Sequence, residues 1–411
     1  MVVGIDYTDE YTQISYADSG MKNPESVSIS IGEKKYLIPT IVCKDQLTGQ
    51  WLIGDKAMEA ISKGEGCFFK KFLSKAIWDE SEIIEDNEYA YTDILSVFLK
   101  NIFDIAKETG KGNNIERVVI TLETVNKETV DLIQEIMKKL DYDSEKVEIV
   151  SHSESFSYYV TKQPKELWTF DVVLFDFSPT HFIYRRIKIQ NSKKPVIVSV
   201  FEEDLSEMIN LQNTDDEMFL EIVQKRFEEG TISSVYLNGV GFTGDWMNRS
   251  LEYICEGRRA FRGQNIFSKG ACYGATFKSL CDENEYLFLC SGRNRVNVSI
   301  IIQENGQNRQ LVLARAGIRW YDAGAKVECV LDDTRNIQFI INSPTDKINK
   351  AINIELNSFP FRAPKTTRVE IFITFKDEET LSIIVKDLGF GDFFKSSEKT
   401  IERIVPIKEY L

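Results

Sequence analysis

The stretch VVLFDFSPTHFIYRRI, residues 172–187, predicts two strands joined by a short turn. Its first, apolar run ends at Asp176, passes through the turn Ser178–His181, and resumes with the alternation of a second strand. The turn contains one of only two histidines in 411 residues. Two questions follow, namely why a buried strand stops at an acidic residue and what the turn after it holds.

The start of the chain has the same pattern. GIDYTDEYTQISY (4–16), aligned on LFDFSPTHFIYRR (174–186), places Asp6 on Asp176, and a second pair of segments aligns in the same order: RVVITLE (117–123) on SVYLNGV (234–240). Strands and amphipathic helices alternate between these segments, which predicts parallel strands covered by helices. The sequence therefore predicts a duplicated α/β domain.

Helical periodicity and end signals predict further elements. A Thr cap, Thr92, and a closing Gly bound a helix at 91–110, and the capping box Thr214–Glu217 opens another. The other elements predicted in this part are strands at 27–31, 35–43, 147–151 and 195–201, and helices at 55–63, 67–76, 126–140, 153–162 and 245–255.

After about residue 283 the helical signals stop, and short alternating strands with Asn, Gly and Asp turns follow. This pattern predicts a β-sandwich or barrel, so we divide the chain into an α/β domain at 1–282 and an all-β domain at 283–411. The aromatic stretches 319–321 and 359–361 either form a protein-contact patch or pack in the core, and core packing is the commoner fate.

Composition narrows the classes of function. The net charge of −14 argues against a general nucleic-acid binder, which needs clustered Lys and Arg. The seven cysteines form no C-x-x-C pair and favour a reduced, intracellular protein. Residues 1–7 have strand character without a signal sequence, and no apolar run approaches a membrane span. We therefore expect a cytoplasmic protein that binds neither nucleic acid nor membrane.

The hairpins and the segments around them resemble the actin, heat-shock chaperone and sugar-kinase ATPase superfamily, most closely its DnaK branch. Two segments resemble the phosphate hairpins, GIDYTDE (4–10) and DFSPTHF (176–182). The others are FKKFLS (69–74) for the lysine motif, VITLE (119–123) for the connecting segment, LNGVGFTGDW (237–246) with KGACYGA (269–275) for the adenosine motif, and 359–391 for the last hairpin of the chaperones' β-sandwich.

This resemblance implies a duplicated actin-like (ribonuclease H-like) bilobal domain followed by a chaperone-like β-sandwich without a helical lid. Lobe I would span about 1–168 and take back a helix at 268–281, and a shortened lobe II would span about 169–267. The short second lobe lacks room for the outer subdomain that helps the family to clasp adenine.

The resemblance also implies a site for ATP or ADP with Mg²⁺ between the lobes. Asp6 and Asp176 would hold the Mg²⁺ if a nucleotide binds, and Lys70 matches the family's phosphoryl-transfer lysine. The implied nucleotide-binding residues are Asp6, Thr8, Asp176, Ser178, Gly239, Gly241 and Arg258. The remaining candidates for catalysis are His181 and Glu154.

Each of these residues also has a structural reading. Asp6 and Asp176 would equally serve as buried strand-end caps that bind turn amides. His152 and His181 would ligate a metal with them, although ordinary helix-cap and turn roles are favoured. Arg258, with Arg259 and Arg262, would bind a nucleotide or, in the favoured reading, place positive charge at a helix end.

Departures from the family pattern decide the expected function. The family's hairpin glycines let amides approach phosphate, whereas the first turn here carries Asp9 and Glu10. In the second turn Pro179 has no N–H and His181 replaces a hydroxyl. His152 stands where the family has its catalytic Glu, with Glu154 two residues on.

We therefore expect a DnaK-like protein- or peptide-interaction module, with a partner bound through the β-sandwich and with impaired or no ATP hydrolase activity. The alternative is an active Mg-ATP-dependent chaperone-like ATPase that uses the cleft. A sugar or acetate kinase fits less well, because those enzymes do not carry the appended sandwich.

Overall fold

A computed structural model gives the fold and describes all residues except 19, 30–34, 47, 85, 111–113, 212–214, 264, 281–284, 346–348 and 411. The chain divides into two compact units. Unit 1 comprises Met1–Gln190 and Ser199–Glu285, and unit 2 comprises Asn191–Val198 and Tyr286–Leu411. The sequence placed the boundary near 282 and gave no sign that Asn191–Val198 would join the second unit. No helix in the described part of the chain is long and apolar enough to cross a membrane.

The first part of unit 1 is built around a mixed sheet, sheet 1. The elements of this part of unit 1 are β1 (Val2–Tyr7), β2 (Tyr11–Ala17), β3 (Glu25–Ser26), β4 (Ile38–Pro39), β5 (Ile41–Lys44), β6 (Trp51–Ile53), α1 (Gly54–Ser62), β7 (Cys67–Lys70), α2 (Phe72–Ile77), β8 (Ser81–Ile84), β9 (Asn87–Ala90), α3 (Tyr91–Thr109), β10 (Arg117–Leu122), α4 (Lys127–Lys139), β11 (Val147–Ser151) and α5 (His152–Thr161). Sheet 1 has the strand order β11-β10-β1-β2-β3, with β1, β10 and β11 parallel and β2 antiparallel to β1. Asp6 lies opposite Gln13 on one side and Thr121 on the other.

The second part of unit 1 contains sheet 2. The elements of this part are β12 (Asp171–Phe177), β13 (Phe182–Gln190), β14 (Val196–Asp204, whose residues up to Val198 are assigned to unit 2), α6 (Asp216–Phe227), β15 (Ile232–Asn238), α7 (Asn248–Cys255), β16 (Arg259–Gly263) and α8 (Ile266–Leu280). These strands lie in the order β16-β15-β12-β13-β14, with β12, β15 and β16 parallel and β13 antiparallel to β12. In both sheets three parallel strands are followed by an antiparallel one, so the strand order of sheet 2 corresponds to that of sheet 1. Asp176 lies opposite Ile183 and Asn238, the positions that correspond to Gln13 and Thr121 beside Asp6.

Helix α8 returns to pack on sheet 1. The approach depends on glycine, because a Cβ on Gly4 would lie 2.2 Å from the carbonyl oxygen of Ser268. A Cβ on Gly270 would lie 2.0 Å from the carbonyl oxygen of Ser155 in α5. The hydroxyls of Ser15 and Ser268 are 2.9 Å apart. The chain thus brings α8 beside both β1 and α5, the two elements that carry Asp6 and His152.

Aromatic side chains fill the core between sheet 2 and helices α6 and α7. The ring of Phe177 contacts Phe182, Phe242 and Trp246, with centroids 5.0–6.3 Å apart. Phe219 of α6 extends the same cluster through Phe175. Burial of these large rings stabilises the second part of unit 1 and fixes the strand that ends in the Ser178 turn.

Unit 2 consists mainly of antiparallel strands. They are β17 (Tyr286–Leu289), β18 (Asn297–Glu304), β19 (Gln307–Ala314), β20 (Ala325–Leu331), β21 (Asn336–Asn342), β22 (Asn349–Glu355), β23 (Thr367–Asp377), β24 (Thr380–Gly389) and β25 (Thr400–Pro406). One sheet has the order β19-β18-β21-β22 and another has the order β20-β23-β24-β25. Alternate residues of both sheets contribute to one hydrophobic core, which also contains Trp320 and Phe359. One aromatic residue from each of the stretches 319–321 and 359–361 is thus a core residue, as the favoured reading expected.

Several predicted elements differ from the structure. Residues 67–76 were predicted helical, but 67–70 form β7, which pairs with β5 and buries Phe69. The predicted strand at 27–31 is replaced by β3 two residues earlier, and residues 30–31 lie outside the described part. Helix α3 begins after Ala90 with Thr92 inside it, so Thr92 is not the cap.

Two predicted helix starts also differ. The helix predicted from residue 245 begins at Asn248. For α6 the predicted cap Thr214 lies outside the described residues, and the Asp215 side chain accepts from the backbone N–H of Glu217 and Met218. The Asp215 side chain therefore caps α6, whereas Met247, before α7, makes no side-chain cap hydrogen bond.

Candidate functional site

Asp6 and Asp176 occupy equivalent places, each one residue before the end of the first strand of its sheet. Asp6 is buried, and its Oδ1 lies 2.8 Å from Nε2 of the buried His152. The His152 ring stacks on Phe267 of α8 at a centroid distance of 4.0 Å. His152 opens α5, whose N-cap Ser151 accepts a hydrogen bond from the Glu154 amide at 3.1 Å. Asp6 and His152, which the sequence suggested as possible metal ligands, therefore form a hydrogen-bonded pair.

Asp176 is held by an amide and a guanidinium. Asn238 Nδ2 donates to Asp176 Oδ1 at 2.8 Å, and Arg185 Nη1 donates to Asp176 Oδ2 at 3.3 Å. Burial alone would raise the pKa of Asp176, but His181 and Arg185 outweigh it and lower that pKa to about 2. Asp176 is therefore a carboxylate at neutral pH, with its charge neutralised by side chains of the same chain.

Arg185 lies at the centre of a group that we call the Arg185 cluster, formed by Ser153, Asp176, Arg185 and Glu202. Arg185 is fully buried, and its Nε donates to Ser153 Oγ at 3.1 Å and to Glu202 Oε2 at 2.7 Å. The Ser153 hydroxyl also donates to Glu202. Burial would raise the pKa of Glu202, but Arg185 and Ser153 lower it. The cluster ties β12, β13 and β14 of sheet 2 to α5, the helix that follows sheet 1.

His181 makes a second link between the two parts of unit 1. Its Nε2 lies 3.6 Å from Asp176 Oδ2, and its Nδ1 lies 3.6 Å from Oε1 of Glu123, which follows β10. Burial would lower the pKa of His181, but the two carboxylates outweigh it, so the pKa is raised. The imidazolium form therefore suits this position.

The first turn, Thr8–Tyr11, binds its own amides. The Thr8 hydroxyl accepts from the N–H of Glu10 at 3.3 Å and of Tyr11 at 3.0 Å. The Thr8 N–H donates to the Tyr11 carbonyl at 3.1 Å. These three amides are therefore engaged within the turn, as is typical of a Ser/Thr turn.

The second turn, Ser178–His181, repeats that arrangement. The Ser178 hydroxyl accepts from the N–H of Thr180 at 3.2 Å and of His181 at 3.1 Å. The Ser178 N–H donates to the His181 carbonyl at 2.9 Å, and Pro179 has no N–H. Thr8 and Ser178, predicted as ligand-binding residues, thus bind the amides of their own turns.

Asp9 of the first turn contacts helix α2. Its Oδ2 accepts from the Ser74 hydroxyl, and burial raises the Asp9 pKa although Ser74 and the charge of Lys71 lower it. Burial and the nearby Asp9 charge raise the pKa of Tyr7. The lysine whose charge acts on this turn is thus Lys71, whereas the sequence singled out Lys70.

Gly239 and Gly241 pack against Phe177. Gly239 has φ 96°, and a Cβ on it would lie 2.2 Å from the Phe177 carbonyl oxygen. A Cβ on Gly241 would lie 2.4 Å from the Phe177 ring. Both glycines are therefore required for the close contact with the strand that precedes the Ser178 turn.

Lys70, Glu154 and Arg258 were also predicted as site residues, and none of them belongs to the Arg185 cluster. Lys70 Nζ lies 5.8 Å from the Phe68 ring centroid, in a surface hollow. Glu154 is buried and accepts from the Tyr158 hydroxyl at 2.5 Å.

Arg258 donates to the Tyr253 carbonyl at 2.9 Å, near the end of α7, and its guanidinium lies 4.6 Å from the Phe227 ring centroid. Arg262 donates to the Gly244 carbonyl at 3.3 Å. Arg259 opens β16, where it pairs with Ser234 of β15. These arginine contacts agree with the helix-end reading for Arg258.

Neighbours of Asp6 and Asp176 bury polar atoms that have no hydrogen-bond partner within the described part of the chain. These atoms are Gln13 Oε1, Thr121 Oγ1 and His152 Nδ1 near Asp6, and Asn238 Oδ1 near Asp176. Buried atoms of this kind are satisfied by ordered water or a small polar ligand. Among the described residues, no group of three or more His, Cys, Asp or Glu side chains is placed to hold a metal ion.

Sequence reasoning missed the centre of this site. Arg185 and Arg186 are consecutive residues of β13, so they point to opposite faces, and both are buried. Arg186 Nε donates to Asp171 at 2.6 Å on its own face. Two adjacent arginines inside the apolar run FIYRRIKI are the signal that would have predicted an inward-facing guanidinium.

Comparison with known families gives two matches. A model of the C-terminal part of the family of unknown function DUF5716 matches residues 23–291, and a model of the domain of unknown function DUF8552 matches residues 293–407. No curated protein matches the chain. The first match covers most of the chain and contains the whole Arg185 cluster, while β1 with Asp6 precedes it.

Proposed function

We propose that this chain, which belongs to the family of unknown function DUF5716, has a binding function and does not hydrolyse ATP. In this proposal unit 1 has the bilobal architecture of the actin and DnaK-type superfamily, and its own side chains fill the position of a nucleotide's phosphates and metal. Unit 2 is a chaperone-like β-sandwich that binds a protein or peptide.

The repeated topology of unit 1 supports the architectural part of the proposal. Sheets 1 and 2 have corresponding strand orders, and their first strands carry Asp6 and Asp176 at equivalent positions. Helix α8 returns to sheet 1, as the resemblance implies for a bilobal domain. In open α/β sheets the ends of such strands form the ligand-binding edge.

The ion pairs of Arg185 are the main observation that supports the proposal. Its guanidinium contacts Asp176 at 3.3 Å and Glu202 at 2.7 Å, so a resident cation already neutralises the carboxylate that would face Mg²⁺. A metal ion would have to displace this buried, hydrogen-bonded group. The residues as they are arranged therefore do not suit a Mg-nucleotide complex.

The two turns add independent support. A phosphate-binding turn presents free N–H groups to the anion. The N–H groups of Thr8, Glu10 and Tyr11 in one turn, and of Ser178, Thr180 and His181 in the other, are engaged within their own turns. Phosphate binding at either turn would require these hydrogen bonds to break first.

Exposed aromatic side chains support a binding role for unit 2. Phe361 is 86% exposed and Phe393 is 95% exposed. Arg362 ties their two loops together by donating to both carboxylate oxygens of Asp387, at 2.6 and 2.8 Å, and to the Lys395 carbonyl at 2.8 Å. Large apolar side chains on loops fixed in this way are typical of protein-contact surfaces.

The proposal includes a cytoplasmic location. Cys43, Cys67, Cys255, Cys272 and Cys329 carry free thiols, as is usual in a reducing compartment.

Nucleotide-dependent thermal stability tests the first part of the proposal. A ligand that binds the folded state raises the melting temperature. We expect no shift for the full chain with Mg·ATP or Mg·ADP, and none with Asp6→Ala. A shift in the wild-type chain that disappears in Asp6→Ala would instead support the alternative, a Mg-ATP-dependent ATPase.

Peptide selection on the full chain tests the second part. We expect a displayed peptide library to yield binders whose affinity falls at least about tenfold in Phe361→Ser and Phe393→Ser, since central aromatic residues dominate protein contacts. Phe170→Ser is the matched control, because Phe170 is also exposed but lies in unit 1. Binders that are insensitive to both unit 2 substitutions would contradict the assignment of this surface.

A further inference from the structure

A hollow on unit 1, which we call the lysine hollow, lies apart from the Arg185 cluster. Its volume is about 380 Å³. It is lined by Gly66, Cys67, Phe68, Lys70, Lys71, Lys75, Glu82, Ile84 and Tyr91. These residues come from β7, α2, β8 and the start of α3, so secondary structure fixes most of its walls.

The charge of the lysine hollow is opposite to that of the chain. Three of its lining residues are lysines and one is an acid, whereas the whole chain has a net charge of −14. Only Lys75 is engaged with the acid, since its Nζ lies 4.0 Å from Glu82 and 2.6 Å from the Tyr91 hydroxyl. Lys70 has the Phe68 ring beside it, at 5.8 Å. The lining residues therefore carry excess positive charge, while Asp9, outside the lining, already interacts with the charge of Lys71.

The walls of the lysine hollow are also apolar. Phe68 is 50% exposed, although it lies in a strand, Ile84 is partly exposed, and Tyr91 is buried. A small inorganic anion would pair with the lysines and leave Phe68 and Ile84 in water. A partner with both carboxylates and apolar side chains would satisfy the two kinds of group together.

We propose that the lysine hollow binds an acidic peptide segment that also carries apolar side chains. The acidic side chains pair with Lys70 and Lys71, and an apolar side chain packs on Phe68 and Ile84. This site lies in unit 1 and is additional to the partner surface of unit 2. It does not depend on whether the Arg185 cluster excludes nucleotide.

Fluorescence anisotropy of the full chain tests the charge requirement. The probe is a labelled peptide of alternating Glu and Phe, compared with the same peptide carrying Gln in place of Glu. We expect the Glu peptide to bind, and Lys70→Gln with Lys71→Gln to weaken it at least about tenfold and to reduce its salt dependence. Lys100→Gln, an exposed lysine of α3, is the control and should leave binding unchanged. Equal binding of both peptides, or no loss in the double variant, would overturn the proposal.

Thiol protection locates the bound peptide without any substitution. Cys67 lines the lysine hollow, and the exposed Cys255 of α7 provides an internal reference. We expect the Glu peptide to slow alkylation of Cys67 by iodoacetamide and to leave Cys255 unaffected. Inorganic phosphate or ATP should not protect Cys67. Equal protection by either would make the hollow a small-anion site and would overturn the peptide proposal.

Discussion

The two turns of unit 1, Thr8–Tyr11 and Ser178–His181, have the same hydrogen bonds but different electrostatic surroundings. In each turn a hydroxyl accepts from the N–H groups two and three residues later. The first turn carries Asp9, which meets Ser74. The second carries His181, which lies 3.6 Å from both Asp176 and Glu123. The backbone arrangement was thus repeated while the charged contacts diverged.

This difference distinguishes the hydrogen bonds that close each hairpin turn from the charged contacts that the turn residues make with other elements. A hydroxyl at the first turn position is sufficient to close the turn, because it replaces the missing partners of two amides. The other residues of the turn are then free to vary. Asp9 of the first turn contacts Ser74 of α2, whereas His181, the last residue of the second turn, lies 3.6 Å from Glu123 after β10. The second turn and Arg185 therefore contribute polar contacts between the two parts of unit 1, beside the aromatic contacts of Phe156 and Tyr159 with Tyr236.

Replacement of Arg185 should have the largest effect. Arg185→Met leaves Asp176 and Glu202 without their shared cation, and the loss of one member of a buried ion pair costs about 3–5 kcal/mol. We expect the free energy of unfolding, measured by urea titration of the full chain, to fall by that amount. Addition of Asp176→Asn to Arg185→Met should recover part of the loss, because the unpaired buried charge is removed. A loss below about 1 kcal/mol would show that the cluster does not hold the sheets together.

Substitution of Gly239 should have the next largest effect, and it acts on the second turn alone. Gly239→Ala introduces a Cβ 2.2 Å from the Phe177 carbonyl oxygen at φ 96°, so strain and a clash add up. We expect a loss of about 2–3 kcal/mol. Gly244→Ala is the matched control, since Gly244 also has positive φ, 85°, but has open space around its Cβ position, and should cost about 1 kcal/mol. Similar losses for both would mean that contact with Phe177 is unimportant.

The internal repeat made part of this comparison predictable from the sequence. Alignment of Asp6 on Asp176 placed both acids at strand ends, and strand alternation located β1, β2, β12 and β13 closely. The same alignment placed Thr8 on Ser178, but it did not show that their hydroxyls would engage the turn amides. Short polar side chains in turns bind either a ligand or their own backbone, and only geometry distinguishes the two.

The contacts between the sheets were beyond sequence reasoning for a different reason. Arg185 reaches Ser153, which lies 32 residues earlier in the chain, and His181 reaches Glu123 after β10. No periodicity connects such positions, because they depend on how the two parts of unit 1 pack against each other. The glycines at 239 and 241 show the same limit, since their sequence pattern indicates close approach but not that the approaching group is Phe177.

Removal of the turn hydroxyls should have a smaller effect, similar in the two turns. Thr8→Val and Ser178→Ala each leave two amides without their side-chain acceptor, and partial exposure lets water replace some of it. We expect each substitution to lower the free energy of unfolding by about 1 kcal/mol. Thr180→Val is the control, because the Thr180 hydroxyl contacts only side chains and accepts from neither amide. A much larger loss for Ser178→Ala would mean that the second turn is stabilised differently from the first.

The smallest expected effect is a pH dependence that comes from His181, since the first turn has no histidine. Because the pKa of His181 is raised, its ion pairs stabilise the folded chain fully below the unfolded pKa of about 6.5 and are lost as pH rises through the folded pKa. The groups that face it are Asp176, Glu123, Arg185 and Asp204. The effect should be small, since the 3.6 Å separations exceed hydrogen-bond length. We expect the melting temperature of the wild-type chain to fall across this interval and that of His181→Gln to change less. His152, the other histidine, remains in this variant. If the melting temperature of His181→Gln changes with pH as much as that of the wild-type chain, another group titrates, and the electrostatic contrast between the two turns is removed.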